Sequence, residues 1–411
     1  MRVVAAPYLF TGSRHVLSPS SARGGRGELT AAWIADGALA LEGDVVVAAG
    51  PRAEVEERCG AAEPLDAVVL PALVNAHTHL ELSHLRGQVP GGGGLAPWIA
   101  RFVRARAAAA EDPAAVERAV ASLRACGVAA VGDVTNTLAA LPALSRAGLA
   151  GRLFHEVFGL SEARIRAALR EAEAVRDAAP APGPGLRIVP SPHAVYSTSP
   201  EVVASLLGAG PASIHLGEDP AERAFVTRGD GPLAELVAAL GADEVRPRGR
   251  SPLACAVGLH AGNLVVHAVD LDAEDVEVLR RTGATAVLCP RSNLHIGGRL
   301  ADLPRLLSAG VRLAVGTDSL ASSPSLSPLA ELAALSRAFP QVAAERLLPL
   351  AWNGGCVGAP SVGRLAPGTA PGVVWLPLGG ERPGDPCAWL LAAAAAEPAF
   401  QWIARHRPEA A

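Results

Sequence analysis

The chain has 411 residues, of which 50% are hydrophobic, and its formal net charge at pH 7 is −4. This length and composition allow a large buried core and predict an ordinary soluble globular protein with one large domain and a smaller one. The 36 basic residues are dispersed and aromatic residues make up only 4% of the chain, which argues against a nucleic-acid polymer as a partner.

The amino-terminal region predicts short β-strands. β-like stretches at Arg2–Leu9 and Ala38–Ala48 lie on either side of a loop rich in Gly, Ser and Arg at Ser18–Gly27. A similar fragment near Gly372–Pro377 would return to pair with them. We therefore expect a small β-sandwich domain formed from both chain ends, with residues 1–66 joined by residues 355–380.

The central region alternates short apolar, β-branched runs with longer segments of helical periodicity, which indicates parallel strands linked by crossover helices. The eight predicted strands are Val68–Val74, Ala129–Val134, Arg152–Phe158, Leu186–Pro190, Ala212–Leu216, Asn263–Val269, Thr285–Cys289 and Val311–Val315. The predicted helices are Pro97–Arg106, Pro113–Cys126, Leu138–Ala147, Glu162–Ala178, Pro200–Leu207, Leu233–Leu240, Ala273–Thr282, Leu303–Ala309 and Leu326–Ala338. Eight such repeats predict an α/β fold, a (β/α)8 TIM barrel over residues 67–354, since about 250 residues are usual for that fold.

The last part of the chain, residues 381–411, is predicted to form a C-terminal helical segment. Its longest apolar run, Cys387–Ala396, is about half of what a bilayer span needs. The amino-terminus lacks the charged start and long apolar core of a signal peptide. These features predict a cytoplasmic protein that does not bind a membrane.

Metal-ligand side chains recur where the predicted strands end. Alternate residues of a strand share a face, so His77 and His79 would aim both imidazoles at one point. His215 and Asp318 stand at the ends of later strands, and barrel chemistry lies at the carboxyl ends of strands. A single histidine of this kind is more often a hydrogen-bonded core or surface residue. The whole set, however, predicts a site for zinc or ferrous iron with a position left for water.

The chain contains no lysine, so all its basic residues are arginine. Schiff-base chemistry, a phosphate-binding loop lysine and a carboxylated lysine bridging two metals are therefore excluded. The predicted metal site is accordingly mononuclear.

Four segments carry a resemblance to a known family. They read Pro-Ala-Leu-Val-Asn-Ala-His-Thr-His-Leu from Pro71, Ser-Ile-His-Leu-Gly-Glu from Ser213, Val-Val-His from Val265 and Val-Gly-Thr-Asp-Ser from Val315. In combination they resemble the amidohydrolase superfamily over nearly the whole chain. The resemblance is closest to its mononuclear deaminase branch, which includes cytosine, guanine, S-adenosylhomocysteine and aminofutalosine deaminases. The run His-Leu-Gly-Glu-Asp departs from the Glu-Ser or Glu-Thr found in several of these, which leaves the substrate open.

The resemblance implies a role for each of these residues. His77, His79, His215 and Asp318 would be the ligands of one divalent metal ion, with zinc favoured and iron as the alternative. His267 would hydrogen-bond the metal-bound water or an oxyanion. The residue pattern alone leaves open whether His267 is instead a ligand.

The implied reaction needs a proton donor beside the metal. A divalent ion can lower the pKa of bound water from 15.7 to about 7, and Asp318 would take the proton of that water. Glu218, three residues beyond His215, would protonate a ring nitrogen and then pass protons to the departing amine. The alternative for Glu218 is an ordinary surface residue.

Four residues are candidates for substrate binding. His193 lies in a segment that resembles one placing a histidine against the substrate, and its alternative is a structural hydrogen bond. Glu81 could accept hydrogen bonds from a sugar or amine, or instead orient the first-strand loop. Trp98 could cap an aromatic substrate beneath a lid formed by Gly91–Gly94, or pack within its helix. Glu156 faces the same rim.

The sequence thus predicts a metal-dependent hydrolytic deaminase that removes an exocyclic amino group from a purine-like, adenosine-type or other heteroaromatic substrate and releases ammonia. The alternative is a hydrolase of a cyclic amide or a chloro-heterocycle on the same mononuclear site. A catalytically inactive scaffold is a third reading. The expected partner is a small-molecule substrate, and relatives suggest a homodimer.

Overall fold

The computed structural model describes residues 1–16, 28–110, 112–239 and 247–408. The loop predicted at Ser18–Gly27 and the last residue of the predicted helix Leu233–Leu240 lie outside the described residues. The strands are β1 (Arg2–Val16), β2 (Glu28–Glu42), β3 (Val45–Pro51), β4 (Glu63–Pro64), β5 (Ala67–Pro71), β6 (Leu73–Thr78), β7 (Val128–Thr135), β8 (Ala150–Val157), β9 (Leu186–Pro192), β10 (Ser213–Leu216), β11 (Leu264–His267), β12 (Thr285–Leu288), β13 (Arg312–Val315), β14 (Pro371–Pro377) and β15 (Gln401–His406).

The helices follow the same chain order. They are α1 (Arg52–Cys59), α2 (Leu95–Ala108), α3 (Pro113–Ala125), α4 (Leu141–Ala147), α5 (Glu162–Ala178), α6 (Pro200–Ala209), α7 (Pro220–Arg228), α8 (Pro232–Ala239), α9 (Pro252–Cys255), α10 (Ala273–Thr282), α11 (Pro290–Gly297), α12 (Leu303–Ser308), α13 (Pro328–Ala338), α14 (Ala344–Leu347) and α15 (Pro386–Ala394). Short 3-10 helices lie at Leu80–Leu85, Leu348–Ala351 and Gly354–Val357.

Two parallel four-stranded sheets form the centre of the molecule. β6, β7, β8 and β9 pair in that order, and β10, β11, β12 and β13 form the second sheet. Every residue of β7 is buried, as expected for parallel strands covered by helices on their faces. Single parallel bridges link the two sheets at both edges, from Thr78 to Asp318 and from Ala194 to His215. Each predicted central strand has a counterpart here, and the carboxyl ends of all eight point to one side.

The first predicted strand is wrong in one respect, because Val68–Val74 spans two strands of different sheets. β5 pairs with β1 and β14, whereas β6 pairs with β7. The chain changes sheet at Ala72, whose N–H donates to the Gly372 carbonyl at 2.9 Å, while the next N–H donates to Gly127. Both strands are fully buried. The apolar run therefore continues across the change of sheet, and the sequence pattern does not reveal where one strand ends and the next begins.

Strands from both ends of the chain form a seven-stranded sheet in the order β15, β14, β5, β1, β2 and β3, with β4 paired to β1. The strand predicted near Gly372–Pro377 is present as β14 and runs antiparallel to β5. One face of the sheet buries a cluster that joins Leu39 and Val46 to Val69 and Val373. The opposite face packs a second, smaller cluster against α1.

The prediction of a helical segment over residues 381–411 is wrong for its second half. The Ala- and Leu-rich run forms α15, but β15 then pairs antiparallel with β14. Trp402 stabilises this strand, since its Nε1 donates to the Arg124 carbonyl at 3.0 Å and the Arg124 guanidinium lies 3.8 Å from its ring. These tertiary contacts outweigh the local helical preference of the preceding run.

Several helices were not predicted. They are α1, α7, α9, α11 and α14. α7 begins at Pro220, where the Asp219 side chain accepts from the N–H of Ala221, and α11 begins at Pro290. Both are short and both start directly beyond a strand end, so they lie beside the site. Among the described residues, no helix has both the length and the apolar character needed to cross a bilayer.

Candidate active site

Three histidines converge at the carboxyl ends of the parallel strands. His77 lies in β6, His79 follows that strand directly and His215 lies in β10. One ligand atom from each lies within 4.8 Å of the others, and the Nε2 atoms of His79 and His215 are 3.3 Å apart. Two nitrogens on one tetrahedral zinc ion, each at about 2.1 Å, would be about 3.4 Å apart. The spacing therefore suits ligands of a single cation.

Asp318 brings a carboxylate to the same centre from the loop after β13. Its Oδ1 lies 3.6 Å from His77 Nε2 and 3.5 Å from His79 Nε2. Its Oδ2 accepts hydrogen bonds from the hydroxyls of Ser292 at 2.5 Å and Ser322 at 3.0 Å. The backbone of Asp318 has φ 58°, a left-handed value that is uncommon outside glycine. These contacts fix the carboxylate so that Oδ1 faces the histidines.

Burial and neighbouring side chains shift the pKa values of His79, His215 and Asp318. Burial, and after it the charge of His77, lowers the pKa of His79 to about 4. Burial, followed by His193, also holds the pKa of His215 well below its ordinary value. Burial alone would raise the pKa of Asp318, but the neighbouring imidazoles, His77 first, hold it well below its usual range. At neutral pH the site thus offers imidazole nitrogens and an ionised carboxylate, the states that bind metal.

The hydrogen bonding of the histidines supports a metal at their centre. Within the described part of the chain neither ring nitrogen of His77 has a hydrogen-bond partner, although the side chain is fully buried. Buried polar atoms without partners are costly. At His215, Nδ1 donates to the His193 carbonyl oxygen at 3.0 Å, so Nε2 carries the lone pair that faces His79. The residues present therefore fit a divalent ion with mixed nitrogen and oxygen ligands.

His267 and Glu218 form a second pair beside this centre. The Asn293 amide donates to His267 Nδ1 at 3.0 Å, and His267 Nε2 lies 3.6 Å from Glu218 Oε1. Burial, and next Asp318, raises the pKa of Glu218 well above its ordinary value. A carboxyl group that holds its proton more tightly than usual therefore lies next to the candidate metal ligands. The geometry places His267 towards Glu218, which favours a role in hydrogen bonding over direct ligation.

Glu222 is a functional candidate that the sequence reasoning missed. It is fully buried, and its Oε2 accepts from the N–H of Glu218 at 2.9 Å. Burial raises its pKa to about 8, opposed by hydrogen bonds from the N–H groups of Glu218 and Gly217. The sequence contains part of the information needed to find Glu222. Asp219-Pro220 predicts the start of a helix, and Glu222 lies in the first turn of that helix. Glu222 holds the loop that carries Glu218.

His193 and Glu156 both lie beside His215. The rings of His193 and His215 are 5.0 Å apart, and His193 Nδ1 shares a 2.5 Å hydrogen bond with the Ser197 hydroxyl. Glu156 Oε1 lies 3.5 Å from His215 Nδ1. Burial, and after it Glu81, raises the pKa of Glu156 to about 8. The structure thus brings both candidate substrate-binding residues to the rim of the metal centre.

Glu81 is engaged by the protein itself. Its carboxylate accepts from the hydroxyls of Thr135 at 2.7 Å and Thr137 at 2.6 Å, and from the backbone N–H groups of Asn136 and Thr137. Although burial opposes it, this set of hydrogen bonds, led by Thr137, lowers the pKa of Glu81. Glu81 joins the loop after β6 to the loop after β7, which favours the orienting role over contact with substrate.

Trp98 and the glycine-rich loop are also held in place. Trp98 is 8% exposed and stacks on Phe102 with ring centroids 5.3 Å apart, so it packs within its own helix. The N–H groups of Gly92 and Gly94 donate to the carbonyls of His295 and Ile296 in α11. The Gly91–Gly94 segment is therefore anchored on α11, and this anchoring fixes where α2 begins.

Comparisons with known proteins identify the family of the chain. The profile described as the amidohydrolase family matches residues 68–374. The aminodeoxyfutalosine deaminase of Deinococcus radiodurans is 30% identical over 345 residues, which cover 78% of this chain and 80% of that protein. The 5-methylthioadenosine/S-adenosylhomocysteine deaminase of Nitratidesulfovibrio vulgaris is 30% identical over 365 residues, or 82% of this chain and 78% of that protein.

Solved structures show the same fold at lower sequence identity. The Helicobacter pylori aminofutalosine deaminase in complex with methylthio-coformycin superposes with a TM-score of 0.79 at 19% identity, covering 97% of both chains. An adenosine deaminase from Xanthomonas campestris with bound zinc gives 0.73 at 22% identity, covering 99% of this chain and 92% of that one. Atrazine chlorohydrolase from Arthrobacter aurescens complexed with zinc gives 0.73 at 19% identity, covering 100% and 97%.

Proposed function

Because the chain belongs to the amidohydrolase family, we propose that its buried histidines and Asp318 hold one divalent metal ion for the hydrolytic removal of an exocyclic amino group, with release of ammonia. The observation that carries this proposal is the convergence of His77, His79, His215 and Asp318 beside Glu218, whose pKa is raised by burial. The named relatives are adenosine-type deaminases, which supports a purine-like substrate.

The same proposal extends to the architecture. The two parallel sheets, bridged at both edges, close into one (β/α)8 barrel with the site at its carboxyl end. The seven-stranded sheet built from both chain ends curls around its apolar cluster to form the small β-sandwich domain. The cluster joining Leu39 and Val46 to Val69 and Val373 supports this second point.

The metal we propose is zinc, with iron as the alternative. His77, His79, His215 and Asp318 would hold it, because imidazole and carboxylate groups suit zinc. When bound, such an ion activates water for attack at neutral pH and polarises the substrate. The zinc in the similar Xanthomonas and Arthrobacter structures supports this assignment.

The residues of the chain supply the remaining chemistry. Burial raises the pKa of Glu218, which suits it to protonate a ring nitrogen and make the neighbouring carbon electrophilic. Left as a carboxylate, Glu218 then takes the remaining proton of the attacking oxygen and passes it to the leaving amine, which departs poorly without one. Asp318 is ionised before the reaction, accepts the first proton of the attacking water and returns it to solvent, from which Glu218 is protonated again. His267, fixed by Asn293, orients the oxygen that replaces the amine.

Four residues around this centre are proposed to shape the substrate site. His193 and Glu156 lie at the rim and would hydrogen-bond the substrate. Glu81 would act by orienting the loop after β7, and Trp98 by supporting the wall formed by α2. Each assignment rests on the placement of the side chain described above.

Hydrolysis of a chloro-heterocycle or a cyclic amide on the same site is the competing function. The structural similarity to atrazine chlorohydrolase is the reason to test this competing function. We propose that the chain acts in the cytoplasm on a small molecule, without binding a membrane or a nucleic-acid polymer, and that it forms a homodimer. Light scattering of the purified protein tests the dimer.

The deciding experiment measures products from the purified, zinc-loaded protein. Adenosine derivatives, cytosine, guanine, cyclic amides and a chlorotriazine would each be supplied, and ammonia, ring-opened product and chloride quantified. We expect stoichiometric ammonia from adenosine derivatives. Chloride or ring opening without ammonia would instead establish the competing function. A protein that binds no metal and forms no product would support the hypothesis of a catalytically inactive scaffold.

A further inference from the structure

Asp219 is a side chain beside the proton donor that the proposed chemistry does not use. It follows Glu218 directly and is the N-cap residue of α7. Its Oδ1 accepts from the N–H of Ala221 at 2.8 Å, which is the ordinary contact of an aspartate that caps a helix. This contact occupies only one of the two carboxylate oxygens, and the second oxygen is directed away from α7.

The second oxygen binds the start of another helix. Asp219 Oδ2 accepts from the N–H of Leu95 at 3.3 Å, and Leu95 is the first residue of α2. The first N–H groups of a helix have no acceptor within that helix, so one carboxylate supplies an acceptor to the starts of two helices. Asp219 therefore joins α2, a wall of the proposed substrate site, to the helix that follows the proton donor.

The end of α11 approaches the same oxygen. A Cβ atom added at Gly94, directly before α2, or at Gly297, the last residue of α11, would lie 3.2 Å from Asp219 Oδ2. That distance is shorter than ordinary van der Waals contact, so glycine at both positions permits the close approach. The N–H of Gly94 also donates to the Ile296 carbonyl at 3.1 Å. Three elements, α2, α7 and α11, thus meet around one carboxylate.

Two of these elements hold groups of the proposed reaction in place. In α7, Glu222 Oε2 accepts from the N–H of Glu218 at 2.9 Å. In α11, the Asn293 amide donates to His267 Nδ1 at 3.0 Å. A shift of α7 relative to α11 would therefore move Glu218 relative to His267. The Asp219 carboxylate lies at the junction of the two elements.

We propose that Asp219 is a positioning residue for the proton donor, and that its carboxylate sets the reach of Glu218 by fastening the start of α7 to α2 beside α11. This inference rests on the proposed deamination and adds to it a residue that acts through Glu218. A proton donor must come within about 2.6–3.2 Å of the atom it protonates. Loss of the fastening should therefore reduce proton transfer more than it reduces substrate binding.

The test compares two leaving groups on one purine ring. The pair is 5′-methylthioadenosine, whose amine leaves poorly without a proton, and its 6-chloro analogue, whose chloride leaves without one. If the wild-type protein deaminates another adenosine derivative faster, the pair is built on that derivative. Ammonia and chloride release by the zinc-loaded protein give kcat and KM for each substrate. General structural damage would lower both rates alike, whereas a displaced Glu218 should lower ammonia release further, because the amine needs a proton for its own departure.

Asp219→Ser separates the two contacts of the side chain. A serine hydroxyl is also a good helix cap, so it can keep the contact with Ala221, but it offers no second oxygen to Leu95. We expect zinc content, Tm and KM close to those of the wild type. Ammonia release should fall by about 10²-fold, the effect of a misplacement of about 1 Å, and chloride release by only about tenfold, since it needs ring protonation alone.

Asp302→Ser is the matched control. Asp302 is the N-cap residue of α12 and accepts from the N–H of Arg305 at 3.1 Å. Among the described residues, its side chain accepts no hydrogen bond from a second helix. The same substitution therefore removes the same charge from a capping position without unfastening two elements. Both rates should stay at their wild-type values.

A double-mutant cycle identifies the contact. Leu95→Pro removes the N–H that binds Asp219 Oδ2, and proline is favoured at the first position of a helix. If both changes act by breaking one hydrogen bond, the double variant should release ammonia at nearly the rate of the slower single variant. An effect of the Asp219 charge that does not pass through Leu95 would instead add to the effect of Leu95→Pro.

The outcomes separate this inference from the proposed function. Equal losses of ammonia and chloride release in Asp219→Ser, wild-type rates in that variant, or additive effects in the double variant overturn the role of Asp219 and leave the deaminase assignment standing. Failure of the wild-type protein to release ammonia from every adenosine derivative contradicts the proposed function, and the inference falls with it.

Discussion

Two glutamates four residues apart illustrate how surroundings determine chemistry at the scale of single residues. Glu218 faces His267 and Asp318 at the site. Glu222 lies behind it, fully buried, and accepts the N–H of Glu218. Burial raises the pKa of both groups, but only Glu218 can reach a substrate. We therefore propose Glu218 as the proton carrier and Glu222 as the residue that supports its loop.

Glu218→Gln should lower kcat by about 10²- to 10⁴-fold, the usual contribution of a general acid-base group. Metal content should stay stoichiometric, because Glu218 is outside the ligand set. Steady-state ammonia release together with elemental analysis measures both quantities. Full activity in this variant would show that protons reach the leaving amine by another route.

Glu222→Gln should change how the stability of the protein depends on pH. The pKa of Glu222 is raised from 4.5 to about 8 on folding, so the folded state binds this proton more tightly than the unfolded state. Its contribution is complete below pH 4.5 and is lost as the pH rises through about 8. Relative to Glu222→Gln, the wild-type free energy of unfolding should therefore fall between about pH 5 and pH 8. Denaturant unfolding at several pH values tests this, and parallel curves would disprove it.

At the scale of elements, α11 organises the site from behind. Ser292 holds Asp318 and Asn293 holds His267, so two consecutive residues of one short helix position two of the proposed catalytic groups. The helix is fixed by Glu331 in α13, which accepts from the backbone N–H and the guanidinium of Arg291 at 2.9 and 2.7 Å. Positioning of the site thus depends on a buried pair away from the metal centre.

Glu331→Ala should destabilise the fold and reduce turnover together. Removing one partner of a buried pair costs roughly 3–5 kcal/mol, and release of α11 would let Asp318 and His267 move. We expect a matching fall in the free energy of unfolding and a lower kcat with zinc still bound. Glu331→Gln, which keeps an acceptor for the backbone N–H, should be milder in both respects. A destabilised Glu331→Ala protein with normal kcat would refute the positioning role.

The elements differ in how far the sequence predicts them. The parallel strands are predictable because most are short apolar runs with polar residues such as His215 and Asp318 at or just after their ends. α11 is not, since Pro-Arg-Ser-Asn-Leu-His-Ile-Gly has little helical preference and depends on contacts with Glu331 and Asp318. The split between β5 and β6 is hidden for a similar reason, because pairing partners elsewhere in the chain determine where one sheet ends.

The site shows the same division. His77 and His79 are predictable as a pair because alternation in a strand places them on one face. Glu222 and Ser322 were missed, as each acts through a hydrogen bond to a catalytic residue that only the folded chain reveals. Glu81 and Trp98 have the expected position but engage the protein itself, a distinction that residue type and spacing do not encode.

At the scale of the whole molecule, removal of the metal should affect both activity and stability. A ligand at a thousandfold excess over its Kd stabilises the folded state by about 4 kcal/mol. Chelator treatment should therefore abolish ammonia release and lower Tm by several degrees, and added zinc should restore both. Elemental analysis and thermal unfolding measure this, and a metal-free protein with full activity would disprove the assignment.

Among the described residues, a parallel backbone bridge links the two sheets on each edge, and each bridge includes a proposed metal ligand, Asp318 on one side and His215 on the other. An ion held by His77 and His79 from the first sheet and by His215 and Asp318 from the second would fasten the halves together across both joins. The proposed metal ion would then serve both catalysis and the association of the two sheets. In the metal-free protein, amide exchange should quicken first along these two joins, while the interior pairs of each sheet stay protected.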